Sequence, residues 1–507
     1  MPKSESVFYT AFSETLVEYF QKTSLNGFGL LYHIRRRKYQ RLFWFIFILM
    51  GISFAVYVIL VTLIDFLEDP TVTSMDSEIP EEQIGETPFP AVAVCSVNKF
   101  SRRAATDYVR RISKRSVRVW NWQTWLEKMK LFAGFFESDA VDSDEAADIQ
   151  NELETLIQGN FSASMLLKKL APTCEELLLK CYWSGGHRVC NELFTLHATV
   201  FGYCCIFNYK FGERSSAEKY VNGTGTENGL IVLLNASSVD YAYAARSFVG
   251  FTVHLFAPNN FPDSSTGEVQ EFFVSPGEDV EVQLTIASQT SSPEVRGYSV
   301  SKRRCYFADE LQAEYGSSYS KAQCLSRCKL QSVLALCGCV PYYAPNDLLD
   351  LDVSPDVCTL EHVECMEQYK VAWNTYRMMD RNDGSVKLQT AIDCSHCLPL
   401  CTYNSYRYKK VRSELRRHQH SMAHRKMLES VNDINSISLV KLYYSSSYPI
   451  RYREDVLFNW YQILSNIGGV IGICMGCSII SSCEIVYFFG FRCLEILFRL
   501  RGNTKQK

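Results

Sequence analysis

Two long uncharged segments, one near each end of the chain, dominate its pattern of apolar and polar positions. The first covers residues 42–64, 23 positions without a charged side chain, and the second covers 456–483, 28 positions. At about 1.5 Å per residue, a helix of either length crosses the roughly 30 Å hydrocarbon core of a bilayer. The second segment is longer than this crossing requires. We therefore expect it to tilt, protrude or break, with the break at Gly476-Cys477-Ser478.

Basic residues on one side of each segment predict the orientation of the chain in a membrane. Arg35-Arg36-Arg37-Lys38 precedes the first segment, and a basic tail that includes Arg492 follows the second. Positive flanks face the cytoplasm, so we expect two crossings with both termini inside. The predicted domains are a cytoplasmic N-terminus (1–41), transmembrane helix 1 (42–64), a cysteine-rich extracellular domain (65–455), transmembrane helix 2 with a pore segment (456–489) and a cytoplasmic C-terminus (490–507).

Between the two segments, short runs of alternating apolar and polar residues predict a β-sheet core with peripheral helices. Strands are expected over 91–97, 231–234, 251–255, 280–286 and 439–444, and helix-like stretches over 122–136, 144–170 and 322–336. In the run 280–286, for example, valine, leucine and isoleucine alternate with polar residues, which buries one face of a strand. We predict an α+β membrane protein in which two transmembrane helices flank a large disulfide-rich extracellular domain.

The composition, above all the distribution of cysteines, indicates the cellular compartment of the domain between the two segments. The chain has 507 residues, of which 21% are charged, and a formal net charge of −3, which excludes a strongly basic nucleic-acid-binding protein. Sixteen of its twenty cysteines lie within 95–401, inside the predicted extracellular domain, and four lie within 474–493. An even number outside the cell favours disulfides. The tight spacing of Cys394, Cys397 and Cys401 also fits zinc, but no second tight pair accompanies it, and we expect no metal and no cofactor.

The same domain carries three N-x-S/T sequons, which predict N-glycosylation at Asn160, Asn222 and Asn235. The sequence contains no phosphate-binding loop, no dinucleotide fingerprint and no G-x-S-x-G elbow. We therefore do not expect an enzyme.

The second uncharged segment is rich in small and polar residues, which an anchor facing lipid does not need. Gly468, Gly472 and Gly476 are four residues apart and so share one helical face. Such a face fits either close packing between helices or the lining of a pore, where small polar groups and free carbonyls meet water. Glu484 at the inner end fits either a ring that attracts cations or an ordinary interfacial carboxylate.

Several short motifs follow one another in a fixed order along nearly the whole chain. They are Phe89-Pro90-Ala91-Val92 leading to Cys95, Gly202-Tyr203-Cys204-Cys205-Ile206-Phe207-Asn208, a block of ten cysteines over 305–401, Ser465-Asn466-Ile467-Gly468-Gly469, and Gly476-Cys477-Ser478 with Glu484-Ile485. This ordered set resembles the degenerin/epithelial sodium channel family. The double cysteine at 204–205 and the spacing from Cys174 to Cys190 look most like its insect pickpocket branch.

The resemblance implies a subunit of a gated, sodium-preferring, amiloride-sensitive cation channel in the plasma membrane. Such a channel is a homo- or heterotrimer of related subunits, and an unknown extracellular ligand is compatible with it. By this resemblance the selectivity filter is Gly476, Cys477 and Ser478. The other implied residues are Ser465, Asn466, Gly468, Gly469, Gly472 and Glu484 for the gate and pore, and Asn26 and Gly27 for the cytoplasmic gating motif.

The resemblance also implies a set of disulfides. The nested ladder is Cys305–Cys401, Cys324–Cys397, Cys328–Cys394, Cys337–Cys365 and Cys339–Cys358, and two further pairs are Cys95–Cys204 and Cys181–Cys190. Cys174 and Cys205 then remain, and we expect them to pair with each other.

Three positions depart from the family pattern. Asn26 stands where relatives usually carry histidine, which removes a titratable group from the gating motif. Asn466 stands where many relatives carry aspartate, which removes a ring of negative charge, and Cys477 is an uncommon residue in its motif. Asn26 and Asn466 keep an alternative open, a non-conducting accessory or receptor subunit that assembles with other channel subunits. An ATP-gated trimeric channel of similar topology fits the loop length and the cysteine ladder less well.

Overall fold

A computed structural model describes most of the chain. The described residues are 2–33, 38–68, 70–76, 84–113, 130–136, 147–151, 154, 162–212, 217–311, 319–345, 348–349, 355–377, 391–416, 425–429, 431 and 433–504. The α-helices are α1 Pro2–Lys22, α2 Phe28–His33, α3 Lys38–Glu68, α4 Arg102–Ser113, α5 Ala163–Leu170, α6 Cys174–Leu177, α7 Cys190–Leu193, α8 Val300–Arg303, α9 Lys321–Cys337, α10 Val363–Trp373, α11 Arg425–Leu428, α12 Trp460–Met475, α13 Ile479–Val486 and α14 Cys493–Thr504. A π-helix, Tyr487–Arg492, joins α13 to α14.

The strands and the 3₁₀ helices complete the secondary structure. The strands are β1 Thr71–Met75, β2 Ala91–Ser96, β3 Asn98–Ser101, β4 Leu178–Trp183, β5 Gly186–Arg188, β6 Phe194–Thr199, β7 Gly202–Phe207, β8 Leu230–Asn235, β9 Tyr241–Ala244, β10 Phe251–Phe256, β11 Gln270–Val274, β12 Glu278–Ser291, β13 Tyr376–Arg377, β14 Ile392–Asp393, β15 Tyr403–Glu414, β16 Ile437–Tyr444 and β17 Ile450–Val456. The 3₁₀ helices are Ile84–Glu86, Lys130–Phe135, Thr226–Asn228, Ser238–Asp240, Ser264–Thr266, Pro293–Gly297, Ala308–Glu310, Leu360–His362 and Ile434–Ser436.

The chain divides into two compact units. Residues 1–73, 292–303 and 454–507 form the first, which we call the helical unit. Residues 74–291 and 304–453 form the second, the sheet unit. Among the described residues, one helix of the helical unit, Lys38–Leu67, is long and apolar enough to cross a membrane. The bent pair Trp460–Met475 and Ile479–Leu500 passes the same test when its two members are taken together.

In the helical unit, α1 packs against the π-helix Tyr487–Arg492, which follows the second apolar segment. The Tyr19 ring lies 5.7 Å from Phe488 and 5.3 Å from Phe489, centroid to centroid, and Leu25 completes this buried cluster. Arg492 Nε donates to Glu18 Oε2 over 3.2 Å. Hydrogen bonds from Lys22 and Arg492 lower the pKa of the Glu18 carboxyl, which keeps it charged for this contact. Helix α1 and the π-helix Tyr487–Arg492 therefore pack against each other.

Two stacked sheets build the sheet unit. In the first, β12 pairs antiparallel with β15 on one side and parallel with β16 on the other, and β8, β4 and β5 follow β16 in that order. The second sheet has five antiparallel strands in the order β11-β10-β2-β7-β6. The main core lies between them, because buried apolar side chains of β12, β16 and β8 pack with those of β2, β7 and β10. Burial of these faces is the main source of stability.

Two of the sequence motifs meet in this core. Phe89 is fully buried, and its ring lies 5.1 Å from Trp183, 5.4 Å from Tyr444 and 6.0 Å from Phe207. The Asn208 side-chain amide donates to the Phe89 carbonyl, and its oxygen accepts from the Lys219 amide over 2.9 Å. The motif that begins at Phe89 and the one that ends at Asn208 thus contact each other through aromatic packing and a hydrogen bond.

Eight disulfides cross-link the sheet unit, and they join the pairs that the sequence analysis expects. They are Cys95–Cys204, Cys174–Cys205, Cys181–Cys190, Cys305–Cys401, Cys324–Cys397, Cys328–Cys394, Cys337–Cys365 and Cys339–Cys358. Three of them hold α9, which begins at the N-cap Ser320 and ends at Gly338 in the left-handed region. A disulfide typically stabilises a fold by about 2–4 kcal/mol, so this set fixes α9 firmly.

The predicted mixture of helix and sheet is confirmed, and one helical prediction is wrong. Strand β2 covers 91–96 of the predicted run 91–97, β8, β10, β12 and β16 cover the other four runs, and α9 covers the predicted helix 322–336. The stretch 144–170 is interrupted, because Ser162 is extended and its hydroxyl accepts from the Met165 amide as the N-cap of α5. Within 122–136, the described part forms the 3₁₀ helix Lys130–Phe135, and 122–129 lie outside the described residues.

His254 is a buried neutral histidine in β10. Its ring stacks on Phe201 at a centroid distance of 3.6 Å, and Nε2 shares a hydrogen bond of 3.1 Å with Thr252 Oγ1. Its Nδ1 atom is buried without a partner among the described residues. Burial, together with the positive charges of Lys99 and Arg246, lowers the pKa of His254 from 6.5 to about 3.

Acid should destabilise the sheet unit through His254. The unfolded chain binds a proton here below about pH 6.5, whereas the folded chain does so only near pH 3. Stability is therefore lost as the pH falls through this range, by about 1.4 kcal/mol per pH unit. Melting temperatures measured between pH 6.5 and pH 4.5 should fall more steeply for the wild type than for His254→Phe. The exposed His187 supplies the control, since His187→Phe should keep the wild-type slope. Equal slopes for all three proteins would contradict the assignment.

Candidate functional site

The second apolar segment breaks at Gly476-Cys477-Ser478, as its length and composition predict. Helix α12 ends at Met475, and Gly476 follows with φ +67 while its amide donates to the Gly472 carbonyl over 2.9 Å. Helix α13 begins at Ile479, and the Ser478 hydroxyl caps it by accepting from the Ser481 amide over 3.3 Å. The helices on either side meet at 76°. The carbonyl end of one helix and the amide end of another therefore lie next to the same three residues.

The turn that contains Asn26 and Gly27 docks against this break. The backbone amide of Asn26 donates to the backbone carbonyl of Met475 over 3.1 Å. A Cβ atom at Gly476 would overlap the side-chain amide of Asn26. The positive φ favours glycine at 476, and the Asn26 side chain would have to move for any larger residue at this position. Two groups of residues that the sequence places 450 positions apart, the proposed cytoplasmic motif and the proposed filter, are adjacent in one chain.

A second polar contact joins the same turn to α13. The Ser24 amide donates to Glu484 Oε2 over 3.0 Å, and the Ser24 hydroxyl donates to the same oxygen over 3.1 Å. The Ser24 and Ser481 hydroxyl oxygens are 2.7 Å apart, and Ser481 is fully buried. One carboxylate oxygen of Glu484 is therefore held by the N-terminal turn in this chain.

The small residues of α12 lie on a face that the chain leaves open. No described atom comes within 4 Å of a Cβ built at Gly468 or Gly469, while one at Gly472 would meet the Cys477 carbonyl at 3.8 Å. Ser465 and Asn466 are exposed on the same helix. Helix α3 packs on another face of α12, where a Cβ at Gly51 would lie 3.5 Å from the Cys474 carbonyl. The open face is available to other copies or to water.

Sequence reasoning missed three contributors to this site, and one predicted residue has an unexpected neighbour. Ser24, Ser481 and Gly51 carried no motif, although a glycine within the bulky apolar run 42–64 is a signal of close helix packing. Cys477 packs in part against the Tyr19, Leu25 and Phe488 cluster. In a single chain it therefore contacts the N-terminal helix region as well as the break.

The remaining predicted residues fall into two groups. Cys474, Cys477, Cys483 and Cys493 are free thiols, all in or beside the second apolar segment. Among the sequons, Asn222 is exposed, and Asn235 lies at the end of β8 with its Oδ1 accepting from the Ser237 amide over 3.1 Å. Asn160 lies outside the described residues.

Comparison with known proteins gives one family. A sequence profile described as "Amiloride-sensitive sodium channel" matches residues 19–488. Pickpocket protein 11 of Drosophila melanogaster is 23% identical over 500 residues, which cover 96% of this chain and 79% of that protein. Sodium channel protein Nach of Drosophila ananassae is 24% identical over 84% of this chain and 77% of its own length. The human bile acid-sensitive ion channel is 24% identical over 93% of this chain and 85% of its own length.

Proposed function

The chain belongs to the amiloride-sensitive sodium channel family, and we propose that it is a subunit of a gated, sodium-preferring, amiloride-sensitive channel that permits passive sodium entry across the plasma membrane. Membership makes it a membrane-embedded cation channel subunit that assembles into oligomers, and not an enzyme. The alternative of a non-conducting accessory subunit is not favoured, because the matched relatives include proteins named as channels.

The break at Gly476-Cys477-Ser478 is the observation that carries this proposal. Inside a bilayer, non-helical backbone is tolerated only where protein buries it or where it lines a water-filled cavity. The break follows a helix whose small and polar face is open in the single chain. One helix cannot enclose a pore, so we propose that three copies, identical or related, bring these faces together around an axis. Gly476, Cys477 and Ser478 then form the selectivity filter.

The remaining pore roles follow from the same arrangement. In the proposal, Ser465, Asn466, Gly468, Gly469 and Gly472 line the gate and the outer pore along α12. Glu484 lies on the inner side of the filter, where the Ser24 contacts orient its carboxylate. Asn26 and Gly27 act as the gating motif, because their turn is docked on the Met475 carbonyl at the start of the break.

The proposed topology has both termini in the cytoplasm, membrane-spanning segments over 42–64 and 456–489, and residues 65–455 outside the cell. The distribution of sulfur chemistry supports it. All eight disulfides lie within 95–401, whereas all four free thiols lie within 474–493. Disulfides persist in oxidising compartments, which fits an extracellular domain between two membrane segments. Glycosylation at Asn160, Asn222 and Asn235 belongs to the same proposal.

Voltage-clamp recording of the chain expressed in oocytes tests the function. We expect an inward current that reverses at a positive potential in sodium medium and that amiloride blocks. Ser478→Leu should abolish the current or lower its sodium-to-potassium preference at least tenfold, because a bulky apolar side chain replaces a hydroxyl at the narrowest point. The exposed Ile480 supplies the control, since Ile480→Leu changes neither volume nor polarity.

Three outcomes of this recording have distinct meanings. A current seen only after co-expression of a related subunit supports a heteromer. An unchanged ion preference in Ser478→Leu removes Ser478 from the filter. Absence of current both alone and with related subunits at the cell surface would contradict the proposed function.

A further inference from the structure

A groove of about 390 Å³ lies in the sheet unit between α4 and the 3₁₀ helix Ser238–Asp240. Helix α4 contributes three arginines, one aspartate and one threonine to its lining, and the loop after β8 contributes Ser237, Val239 and Asp240. Ligand sites of about 300–1,000 Å³ hold small organic molecules. The volume of this groove therefore suits one or two sugar rings.

The groove lies beside one of the sequons. Ser237, which lines the groove, is also the third residue of Asn235-Ala236-Ser237. The Asn235 side chain is partly exposed, and its Oδ1 accepts from the Ser237 backbone amide over 3.1 Å. Its Nδ2, the atom to which a glycan is attached, makes no hydrogen bond with the described residues. A sugar on Nδ2 therefore begins next to a residue of the groove.

Hydrogen bonds fix the position of this sequon relative to α4. On one side, the Ala236 amide donates to the Ser436 carbonyl over 3.0 Å. On the other side, Asp240 Oδ1 accepts from the Arg103 backbone amide over 2.9 Å, and the Asp240 carbonyl accepts from Asn98 Nδ2 over 3.1 Å. The loop that carries the sequon is thus tied to α4, and a glycan there has the groove as a constant neighbour.

The lining suits a neutral polyhydroxyl molecule better than an ion. Its arginine and aspartate side chains supply donors and acceptors of both charges, and the ion pairs around it are loose, since Arg103 lies 3.7 Å from Glu176 and Arg110 lies 3.9 Å from Asp107. A sugar hydroxyl both donates and accepts, so it matches such a mixed surface. Val239 adds an apolar side chain that is 87% exposed, on which the carbon face of a sugar ring or an acetyl methyl group packs away from water.

We propose that the first N-acetylglucosamine of the glycan on Asn235 packs in this groove, against Val239 and the polar side chains of α4. Attachment replaces one Nδ2 hydrogen with the anomeric carbon of a sugar from a lipid-linked pyrophosphate donor, and the proton leaves with the pyrophosphate. The proposal rests on the proposed extracellular topology, because only a domain that enters the secretory compartment meets this donor, and it does not depend on conduction. The first sugar then belongs to the folded sheet unit and connects the loop after β8 to α4, and its bond to Asn235 is shielded.

The test follows enzymatic removal of the glycan from the folded protein. Peptide-N-glycosidase F cleaves the bond between asparagine and the first sugar and leaves aspartate, which mass spectrometry detects at each site. The full-length chain is expressed in human cells, purified in lipid nanodiscs and treated while folded, with the exposed Asn222 as the reference. We expect release at Asn235 to be slower than at Asn222 by roughly tenfold or more, which corresponds to an open state populated about one-tenth of the time or less. After reduction and denaturation the two rates should agree within about threefold, because unfolding removes the groove.

Three variants locate the protection. Thr106→Trp fills the groove from α4 and should bring the Asn235 rate within about threefold of the Asn222 rate. Arg111→Trp adds the same ring to α4 at an exposed position outside the lining, and it should keep the slow release. Val239→Ser alters an exposed residue and should leave the fold intact, and it is expected to remove about half of the protection or more.

The outcomes that would overturn the proposal are distinct from those that concern the topology. Equal rates at the two sites in the folded wild type would overturn it, and slow release that persists in Thr106→Trp would overturn the groove as the cause. An unmodified Asn235 in a chain that carries a glycan at Asn222 would overturn the proposal and leave the topology intact. A chain without a glycan at any of the three sequons would contradict the topology as well. If Asn235 alone carries a glycan, Thr106→Trp replaces Asn222 as the reference.

Discussion

Gly476→Ala is expected to remove at least nine-tenths of the proposed sodium current while the protein still reaches the cell surface. The new Cβ forces a left-handed backbone, φ +67, on a residue that adopts it at a cost of about 1 kcal/mol or more. The same atom would overlap the Asn26 side-chain amide, so the Asn26 side chain must move away from the break or the turn before α2 must shift. A tenfold loss corresponds to about 1.4 kcal/mol, which these two effects together supply.

Two further variants separate the causes of this loss. Asn26→Ala removes the atoms that would overlap, so the double variant Asn26→Ala/Gly476→Ala should regain part of the current if the contact with Asn26 is the main cause. Gly490→Ala is the matched control, because nothing lies within 4 Å of its Cβ and its backbone does not require glycine. Surface biotinylation measures delivery to the membrane. A Gly476→Ala channel with wild-type current would contradict the role given to the break.

Lys329→Met is expected to destabilise the sheet unit by about 3–5 kcal/mol. The Lys329 ammonium and the Asp263 carboxylate are 3.0 Å apart, and their side chains are only 9% and 4% exposed. Methionine fills the space of the lysine stem but leaves a buried carboxylate without its cation. Since folded proteins are stable by about 5–15 kcal/mol, a loss of this size should be visible as a much lower melting temperature and reduced surface expression.

Lys370→Met provides the comparison for this ion pair. Its partner Glu367 is 3.3 Å away, but both side chains are more than 40% exposed, so water compensates the loss and the cost should stay below about 1 kcal/mol. Asp263→Asn added to Lys329→Met should recover part of the lost stability by removing the unpaired charge. If Lys329→Met melts no lower than Lys370→Met, the Asp263–Lys329 pair does not have the stabilising role assigned to it.

Much of the sheet unit could be predicted because burial leaves a local trace in the sequence. Residues 280–286 alternate because one face of β12 packs into the core, and the same reasoning located β2, β8, β10 and β16. The prediction of a continuous helix over 144–170 is wrong at Ser162, where the serine hydroxyl accepts a hydrogen bond from the Met165 backbone amide and so starts a new helix. Seven of the eight disulfide pairs came from the family resemblance, since spacing alone cannot choose among so many pairings, and Cys174–Cys205 was expected because these two cysteines remained.

The candidate site was predictable in its parts but not in its assembly. Gly476 and Ser478 are the residue types that end one helix and begin another, so the break could be expected from the segment itself. Nothing local indicates that Asn26 meets Met475, or that Ser24 binds Glu484 across 460 residues. Contacts of this separation depend on how whole helices pack, and they leave no periodicity or characteristic spacing in the sequence.

The packing of α1 against the π-helix Tyr487–Arg492 also has a consequence for the order of events during biosynthesis. Glu18 and Arg492 are separated by 474 residues, so the ribosome makes Glu18 well before its partner Arg492. At roughly 5–20 residues per second, the apolar side of α1, with Tyr19, waits on the order of half a minute to a minute and a half for its partner. Throughout that time another surface, such as that of a chaperone, must cover it. Helix α1 therefore reaches its final packing long after it has been synthesised.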